Sequence, residues 1–226
     1  MATRYMERFF DPQSIAVIGA SERTYSLGGT VLANLIEAGF EGPLSAVNPR
    51  GGKAVHGVPR VRSVRALDEP PELAIVCTSP ARIPGIVDEL GKKGVRAVMI
   101  VMGGLAQPAR LVDGAVGQTV EWATGLLGVR LDSGKTLKEA TWDAARAYDM
   151  RIMGPNCIGT VVPRRQLNAS YAHCMVEPGN VAYVGQSGVL TLAVMDWARG
   201  RDFGFSCVTS LGDSLDIDIA DVLDYL

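Results

Sequence analysis

Short apolar runs alternate with amphipathic helical segments along most of the chain. The first run, Ile15–Ile18, stops at a Gly-Ala-Ser turn and is followed by a helical pattern over 27–38. Apolar spacing of three and four residues predicts further helices. Because the runs are apolar on both faces, as in a parallel sheet covered by helices, we expect a doubly wound α/β fold. The predicted strands are 15–18, 44–47, 73–77 and 97–101, and the predicted helices are 27–38, 83–93 and 136–148.

A second strand–turn–helix unit begins near Gly179. The pattern predicts a strand over 181–184, a Gly-Gln-Ser-Gly turn and a helix over 189–198, then a strand over 207–211 and a helix over 217–226. Two such units do not bury a complete sheet core. We therefore expect the chain to be a piece of a longer protein. The alternative is that this segment packs on the first unit as an appendage.

Composition and charge exclude several classes. The 226 residues are 47% hydrophobic with a net charge of −2, so neither a nucleic-acid partner nor a membrane partner is expected. No apolar run reaches the roughly 18 residues that span a bilayer. Four cysteines without metal-ligand spacing and only two histidines indicate a reducing, cytoplasmic compartment and no metal site.

The first turn is suited to a phosphate group. Gly19-Ala20-Ser21 joins a strand to a helix, and Gly28 lies near the start of that helix. Backbone N–H groups and the helix dipole there would face an anion, and glycine lets the backbone approach it closely. Ordinary turn chemistry is the alternative explanation for the same residues.

The second strand ends in a base where an NAD site would have an acid. Asn48-Pro49-Arg50 follows that strand, whereas a carboxylate normally accepts from the ribose hydroxyls of NAD. Glu41 has a comparable spacing but precedes the strand. Arg50 would favour a phosphorylated ribose, which both coenzyme A and NADP carry; a solvated surface arginine is the alternative. The segment 50–65 is predicted to be a loop.

Later strand ends extend the candidate site. Thr78-Ser79-Pro80 and Met102-Gly103-Gly104 follow the next two strands, where any sheet also needs turn residues. Between Gly103 and the next helix, 105–132 looks like an insertion. We hypothesise that this insertion caps the site or contacts another subunit, although a packed helical excursion explains it equally well.

Five motifs in order carry a family resemblance. They are Ile15 to Ser21, Asn48-Pro49-Arg50, Gly154-Pro155-Asn156-Cys157-Ile158-Gly159, Leu167-Asn168-Ala169-Ser170 and Gly185-Gln186-Ser187-Gly188. With them the chain resembles NDP-forming acyl-CoA synthetases and the succinyl-CoA synthetase α subunit. The segment 210–218 looks most like the synthetase-like half of bacterial protein lysine acetyltransferases. The resemblance implies a Rossmann-like CoA-binding domain over 1–178 and an incomplete flavodoxin-like domain over 179–226.

The resemblance also implies where ligands bind. CoA or acetyl-CoA would lie across the strand ends named above, with Asn156 and Cys157 toward the pantetheine arm and no catalytic residue in this chain. Gln186, Ser187 and Gly188 would hold the phosphate of a phosphohistidine, or Ser187 is a plain helix cap. ATP or ADP would be used by the parent protein through its remaining domains or a nucleotide-grasp β subunit, and self-association is plausible.

Three functions are compatible with these motifs. The main interpretation is a CoA-binding, non-catalytic portion of an acetyltransferase that resembles a synthetase. The alternatives are an α-type subunit or domain of an active ADP-forming acyl-CoA ligase, and an NADP-linked oxidoreductase. Against the oxidoreductase, the turn is Gly-Ala-Ser and not G-x-G-x-x-G.

Overall fold

The first sheet is doubly wound, as predicted. The computed structural model describes residues 3–105 and 135–226. Among these residues the first sheet has seven strands: β1 (Ile15–Ile18), β2 (Leu44–Val47), β3 (Ala54–Val55), β4 (Val58–Val61), β5 (Leu73–Val76), β6 (Ala97–Ile100) and β7 (Arg151–Met153). Their spatial order is β3-β4-β2-β1-β5-β6-β7, and all neighbours are parallel except β3 and β4.

Helices cover both faces of this sheet. They are α1 (Glu7–Phe10), α2 (Leu27–Glu37), α3 (Ile83–Lys93) and α4 (Leu137–Arg146). Alternate β1 residues enter two separate cores: Ile15 and Val17 pack in one, and Ala16 and Ile18 in the other. Because all four side chains are buried, the run reads as continuously apolar. The fold class is thereby confirmed. None of the helices in 3–105 and 135–226 is long and apolar enough to cross a bilayer.

A second sheet follows, of the α/β type expected. Its described strands are β8 (Gly159–Val162), β9 (Leu167–Ser170), β10 (Pro178–Gly185) and β11 (Phe205–Ser210), in the order β10-β11-β8-β9, with helices α5 (Gly188–Ala198) and α6 (Ile219–Tyr225). Only β10 and β11 are parallel. This sheet takes strands from both sides of residue 178, and the division into 1–178 and 179–226 stays a prediction.

The prediction of a loop over 50–65 is wrong, because β3 and β4 form a hairpin there. His56 (φ 48°) and Gly57 (φ 81°) occupy its two-residue turn, as a type I′ turn requires. These strands are too short to produce an apolar run. The predicted insertion over 105–132 lies, apart from Leu105, outside the described residues.

The edge of the first sheet is closed by the chain that follows β11. Backbone N–H groups of Asp213, Leu215 and Ile217 donate to the carbonyls of Pro155, Gly154 and Ile152 at 2.8, 2.9 and 3.1 Å. Alternate residues bond in this way when a segment runs along a strand. The two sheets are therefore held together beside the C-terminal end of β7.

Candidate functional site

A cleft of about 560 Å³ opens at the C-terminal ends of β1, β2 and β5. Chain connections leave β1 toward opposite sides of the sheet, so this is the crevice where the strand order reverses and α/β proteins bind ligands. Seven of the predicted site residues line it: Gly19, Ser21, Asn48, Pro49, Arg50, Thr78 and Ser79. These three strand ends therefore meet at one cleft, and the ligand-binding role of their residues stays a prediction.

The turn after β1 depends on two glycines. Gly19 has φ 96°, and a Cβ there would lie 2.6 Å from the carbonyl oxygen of Cys77. A Cβ on Gly28 would lie 2.7 Å from the carbonyl oxygen of Gly19. The turn and the first residues of α2 thus pack backbone to backbone, which only glycine permits. Ala20 is buried behind the turn and borders a smaller cleft of about 310 Å³.

Helix α2 begins with its amino end at the cleft. The hydroxyl oxygen of Ser26 accepts from the N–H of Gly29 at 3.2 Å, which caps the helix. The other N–H groups of the first turn have no partner within the helix. They carry the positive end of the helix dipole toward the cleft and favour an anion there.

Asn48 joins the end of β2 to the Gly19-Ala20-Ser21 turn. Its amide Nδ2 donates to the carbonyl of Ala20 at 2.8 Å, and its Oδ1 accepts from the N–H of Arg50 at 3.0 Å. Arg60 donates to the carbonyls of Asn48 and Gly51. Asn48 therefore orders the rim on which Arg50 stands, and Arg60 is a supporting residue that the sequence did not single out.

The cleft lining is strongly basic. It contains Arg23, Arg50, Arg62 and Arg82, and one acid, Glu89. Glu89 is buried and pairs with the Nε of Arg65 at 2.9 Å. Burial raises the pKa of the Glu89 carboxyl, and the charge of Arg65 opposes that rise. An excess of guanidinium groups beside a helix amino end suits a ligand with several phosphates.

A second group of predicted residues lies next to the cleft and does not line it. The N–H of Asn156 donates to the carbonyl of Met102 at 3.1 Å, and a Cβ on Gly103 would lie 2.9 Å from Oδ1 of Asn156. A Cβ on Gly104 would lie 3.5 Å from the ring of Pro80. These residues continue the same sheet edge over β6 and β7.

Cys157 is a buried thiol. Its Sγ donates to the carbonyl of Ile100 at 3.3 Å, and burial raises its pKa to about 12. A thiol with that pKa is a poor nucleophile. Cys157 therefore packs as a small buried side chain, and its predicted place toward the pantetheine arm stays a prediction.

The Gly-Gln-Ser-Gly turn lies on the second sheet, apart from the cleft. The hydroxyl oxygen of Ser187 accepts from the N–H of Leu190 at 3.3 Å and caps α5. A Cβ on Gly188 would lie 2.9 Å from Ile158, so packing alone accounts for that glycine. Gln186 and Ser187 are exposed. A phosphate-binding role for these three residues stays a prediction.

Neither histidine lines the cleft. His56 occupies the β3–β4 turn. A ring nitrogen of His173 and a carboxylate oxygen of Asp196 form a hydrogen bond of 2.7 Å. The atoms of His173, Cys174 and Asp196 that could bind a metal all lie within 4.8 Å of one another. Exposed acidic groups and histidines commonly meet in this way without a metal, and the His–Asp bond accounts for the contact.

Several cleft residues were missed by sequence reasoning. They come from the segment after the first turn, from the end of β4 and from α3: Arg23, Thr24, Tyr25, Ser26, Arg62, Ser63, Val64, Arg82, Ile86 and Glu89. Arg23 to Ser26 directly follow the recognised turn, which was an available signal. The others reach the cleft through strand order and helix packing.

Family models match two parts of the chain. A CoA binding domain model matches residues 13–163, and a succinyl-CoA ligase like flavodoxin domain model matches residues 178–226. The matched regions follow each other in the order that the resemblance implied.

Curated proteins and a solved structure are similar over nearly the whole chain. Subunit alpha of ADP-forming acetate–CoA ligase I of Pyrococcus furiosus is 34% identical over 97% of this chain and 44% of its own length. ADP-forming acetate–CoA ligase I of Archaeoglobus fulgidus is 33% identical over 98% and 29%. Acetyl-coenzyme A synthetase 1 of Ca. Korarchaeum cryptofilum, solved with phosphate and ADP, superposes with a TM-score of 0.81 at 29% identity over 97% and 42%. The chain spans less than half of each relative.

Proposed function

Because this chain belongs to the CoA binding domain family, we propose that it binds coenzyme A or acetyl-CoA and is the CoA-binding portion of an ADP-forming acyl-CoA ligase. The observation that carries the proposal is the cleft, which is lined by four arginines together with the glycine turn and Ser26 at the amino end of α2. Coenzyme A carries a diphosphate and a 3′-phosphate, so it presents the anionic groups that this lining suits.

Different groups of the predicted residues would contact different parts of CoA. Gly19, Ala20, Ser21 and Gly28 would meet the diphosphate, and Asn48, Pro49 and Arg50 the adenosine end with its 3′-phosphate. Thr78, Ser79 and Pro80 would follow along the sheet edge. Met102, Gly103, Gly104, Asn156 and Cys157 would lie toward the pantetheine arm. Guanidinium groups recognise phosphates through paired hydrogen bonds, which is the role proposed for Arg50.

Similarity to ADP-forming ligases favours the ligase alternative over the acetyltransferase interpretation. The relatives named above are ligases or synthetases, and none of them is named as an acetyltransferase. The oxidoreductase alternative gains no support from them. The parent protein would join an acid to CoA while ATP becomes ADP and phosphate, with its other domains or a β subunit binding the nucleotide. Gln186, Ser187 and Gly188 would receive the phosphate, and this chain alone would bind without turnover.

Calorimetric titration with CoA, 3′-dephospho-CoA and NADP tests the proposal. We expect saturable binding of CoA that weakens when the 3′-phosphate is removed and weakens by about ten-fold in Arg50→Ala, the usual scale for a lost charge-assisted contact. Arg165→Ala is the matched control, because Arg165 pairs with Asp11 and does not line the cleft. Binding of NADP but not of CoA would overturn the proposal.

A further inference from the structure

Tyr25 stands exposed at the cleft. Its side chain is 97% exposed, and it lines the cleft together with Arg23 and Ser26. Folding therefore buries almost none of its ring, although an aromatic ring is the side chain that gains most from burial.

The backbone of Tyr25 is in a conformation that its side chain disfavours. The N–H of Ser26 donates to the carbonyl of Arg23 at 3.1 Å, so 23–26 form a β-turn with Tyr25 as its third residue. Its φ of 61° lies in the left-handed region. That position in a turn favours glycine or asparagine, and a bulky residue there is an outlier.

Tyr5 has the same backbone conformation as Tyr25 but differs from it in the contacts of its ring. Tyr5 has φ 60°, but the guanidinium groups of Arg4 and Arg8 lie 5.3 and 4.9 Å from the centre of its ring. Within 3–105 and 135–226 the ring of Tyr25 has no such contact. An aromatic ring in a strained turn thus stands at the ligand cleft with no partner among the described residues. Strain of this kind is typical of ligand-binding segments.

We propose that the ring of Tyr25 packs on the nucleotide part of bound coenzyme A. This inference rests on the proposed function. The 23–26 turn lies in the chain between Ser21, the last residue of the Gly19-Ala20-Ser21 turn, and Ser26, which caps α2. The ring would therefore lie where the diphosphate and the adenosine of CoA enter the cleft. The ligand would supply the burial that the protein itself does not provide, and the ring would cover the ligand from water.

Three variants distinguish the effect of the Tyr25 ring from the effect of the strained backbone. Tyr25→Phe keeps the ring, Tyr25→Ala removes it and keeps the strained Cβ, and Tyr25→Gly removes both. Calorimetry with CoA and with adenosine 3′,5′-bisphosphate should show an affinity about ten-fold weaker in Tyr25→Ala and Tyr25→Gly, as for other lost aromatic stacking contacts, and close to wild type in Tyr25→Phe. Since glycine tolerates positive φ, Tm of Tyr25→Gly should exceed that of Tyr25→Ala by about 2–4 °C.

The outcomes distinguish this inference from the proposed function. No CoA binding by the wild-type chain would contradict the proposed function, and the role of Tyr25 with it. Normal CoA binding by wild type, Tyr25→Ala and Tyr25→Gly alike would overturn only the role of Tyr25. A loss of affinity for CoA but not for the bisphosphate would place the ring on the pantetheine arm, and would also overturn the inference.

Discussion

Arg151 and Asp216 form a nearly buried ion pair that joins the two sheets. Nε of Arg151 donates to Oδ2 of Asp216 at 2.8 Å, and the same oxygen accepts from the N–H of Ile152 at 2.8 Å. Nη2 of Arg151 donates to Oδ2 of Asp221 at 2.7 Å. The side chain of Arg151 is 9% exposed, so β7 and the chain after β11 share charges that water scarcely reaches.

Replacing Arg151 with Met should destabilise the fold strongly. The substitution leaves the largely buried carboxylates of Asp216 and Asp221 without the Arg151 guanidinium. Breaking a buried ion pair in this way costs about 3–5 kcal/mol in other proteins. Urea unfolding measures the loss. Lys92→Met is the control, because the side chain of Lys92 is 54% exposed and its ion pair with Asp88 should contribute far less to stability than the pairs of Arg151. Equal losses in the two variants would contradict this account of the sheet junction.

Gly28→Ala should weaken both folding and ligand binding. The new Cβ would lie 2.7 Å from the carbonyl oxygen of Gly19 and 2.9 Å from the N of Ala20, so the turn must move away from the helix. We expect a stability loss of about 1–3 kcal/mol, as in other overpacked sites, and weaker CoA binding in calorimetry. Gly52→Ala should be nearly neutral in stability, because the nearest atom to its Cβ would be 3.8 Å away. A wild-type affinity for CoA in Gly28→Ala would contradict the role of the tightly packed Gly19–Gly28 contact in CoA binding.

The Glu89 carboxyl should make stability depend on pH. Burial raises its pKa in the folded chain, despite the opposing charge of Arg65. Since the folded state binds this proton more readily than the unfolded state, its stabilising contribution is present at low pH. It is lost as the pH rises from the ordinary glutamate range through the folded pKa.

Glu89→Gln tests this dependence. Its free energy of unfolding, relative to wild type, should increase as the pH rises from acid to neutral in a series of urea titrations. Glu177→Gln is the matched control at an exposed glutamate. A difference between Glu89→Gln and wild type that stays constant with pH would show that Arg65 fully compensates the burial.

Alkylation should separate the cysteines by environment. Cys157 is buried with its pKa raised to about 12, whereas Cys174 is partly exposed. In the folded chain at mildly alkaline pH, mass spectrometry after iodoacetamide treatment should find Cys174 modified first and Cys157 protected; in urea both should react. Rapid modification of Cys157 in the folded chain would indicate an activated thiol and contradict its packing role.

Strands were predicted where their buried side chains are apolar, and missed where the buried side chains are polar. The strands β1, β5 and β6 are buried on both faces, so their sequences are apolar throughout. In contrast, β8 and β9, which were not among the predicted strands, bury polar side chains that hydrogen-bond within β9 or to β11. The hydroxyls of Thr160 and Thr209 are 2.8 Å apart, and Ser170 donates to Asn168 at 2.5 Å. Their sequences therefore lack the apolar pattern.

The candidate site was only partly visible in the sequence. Gly19 directly follows β1 and Arg50 comes three residues after the end of β2, so their place at the sheet edge could be predicted from the chain alone. Arg62 and Arg82 join the same cleft because β4 lies beside β2 and α3 follows β5. Such neighbours depend on strand order, which local patterns do not contain.

By itself the sequence determined the alternation of elements, the glycine turn after β1 and the helix ends, because these depend on residues close together in the chain. Thr136, for example, caps α4 through Glu139, three residues away. Only the tertiary structure decided that Tyr25 would stand at a basic cleft and that Arg151 would meet Asp216. Those contacts join residues far apart in sequence, and the burial of both sheets brings them together.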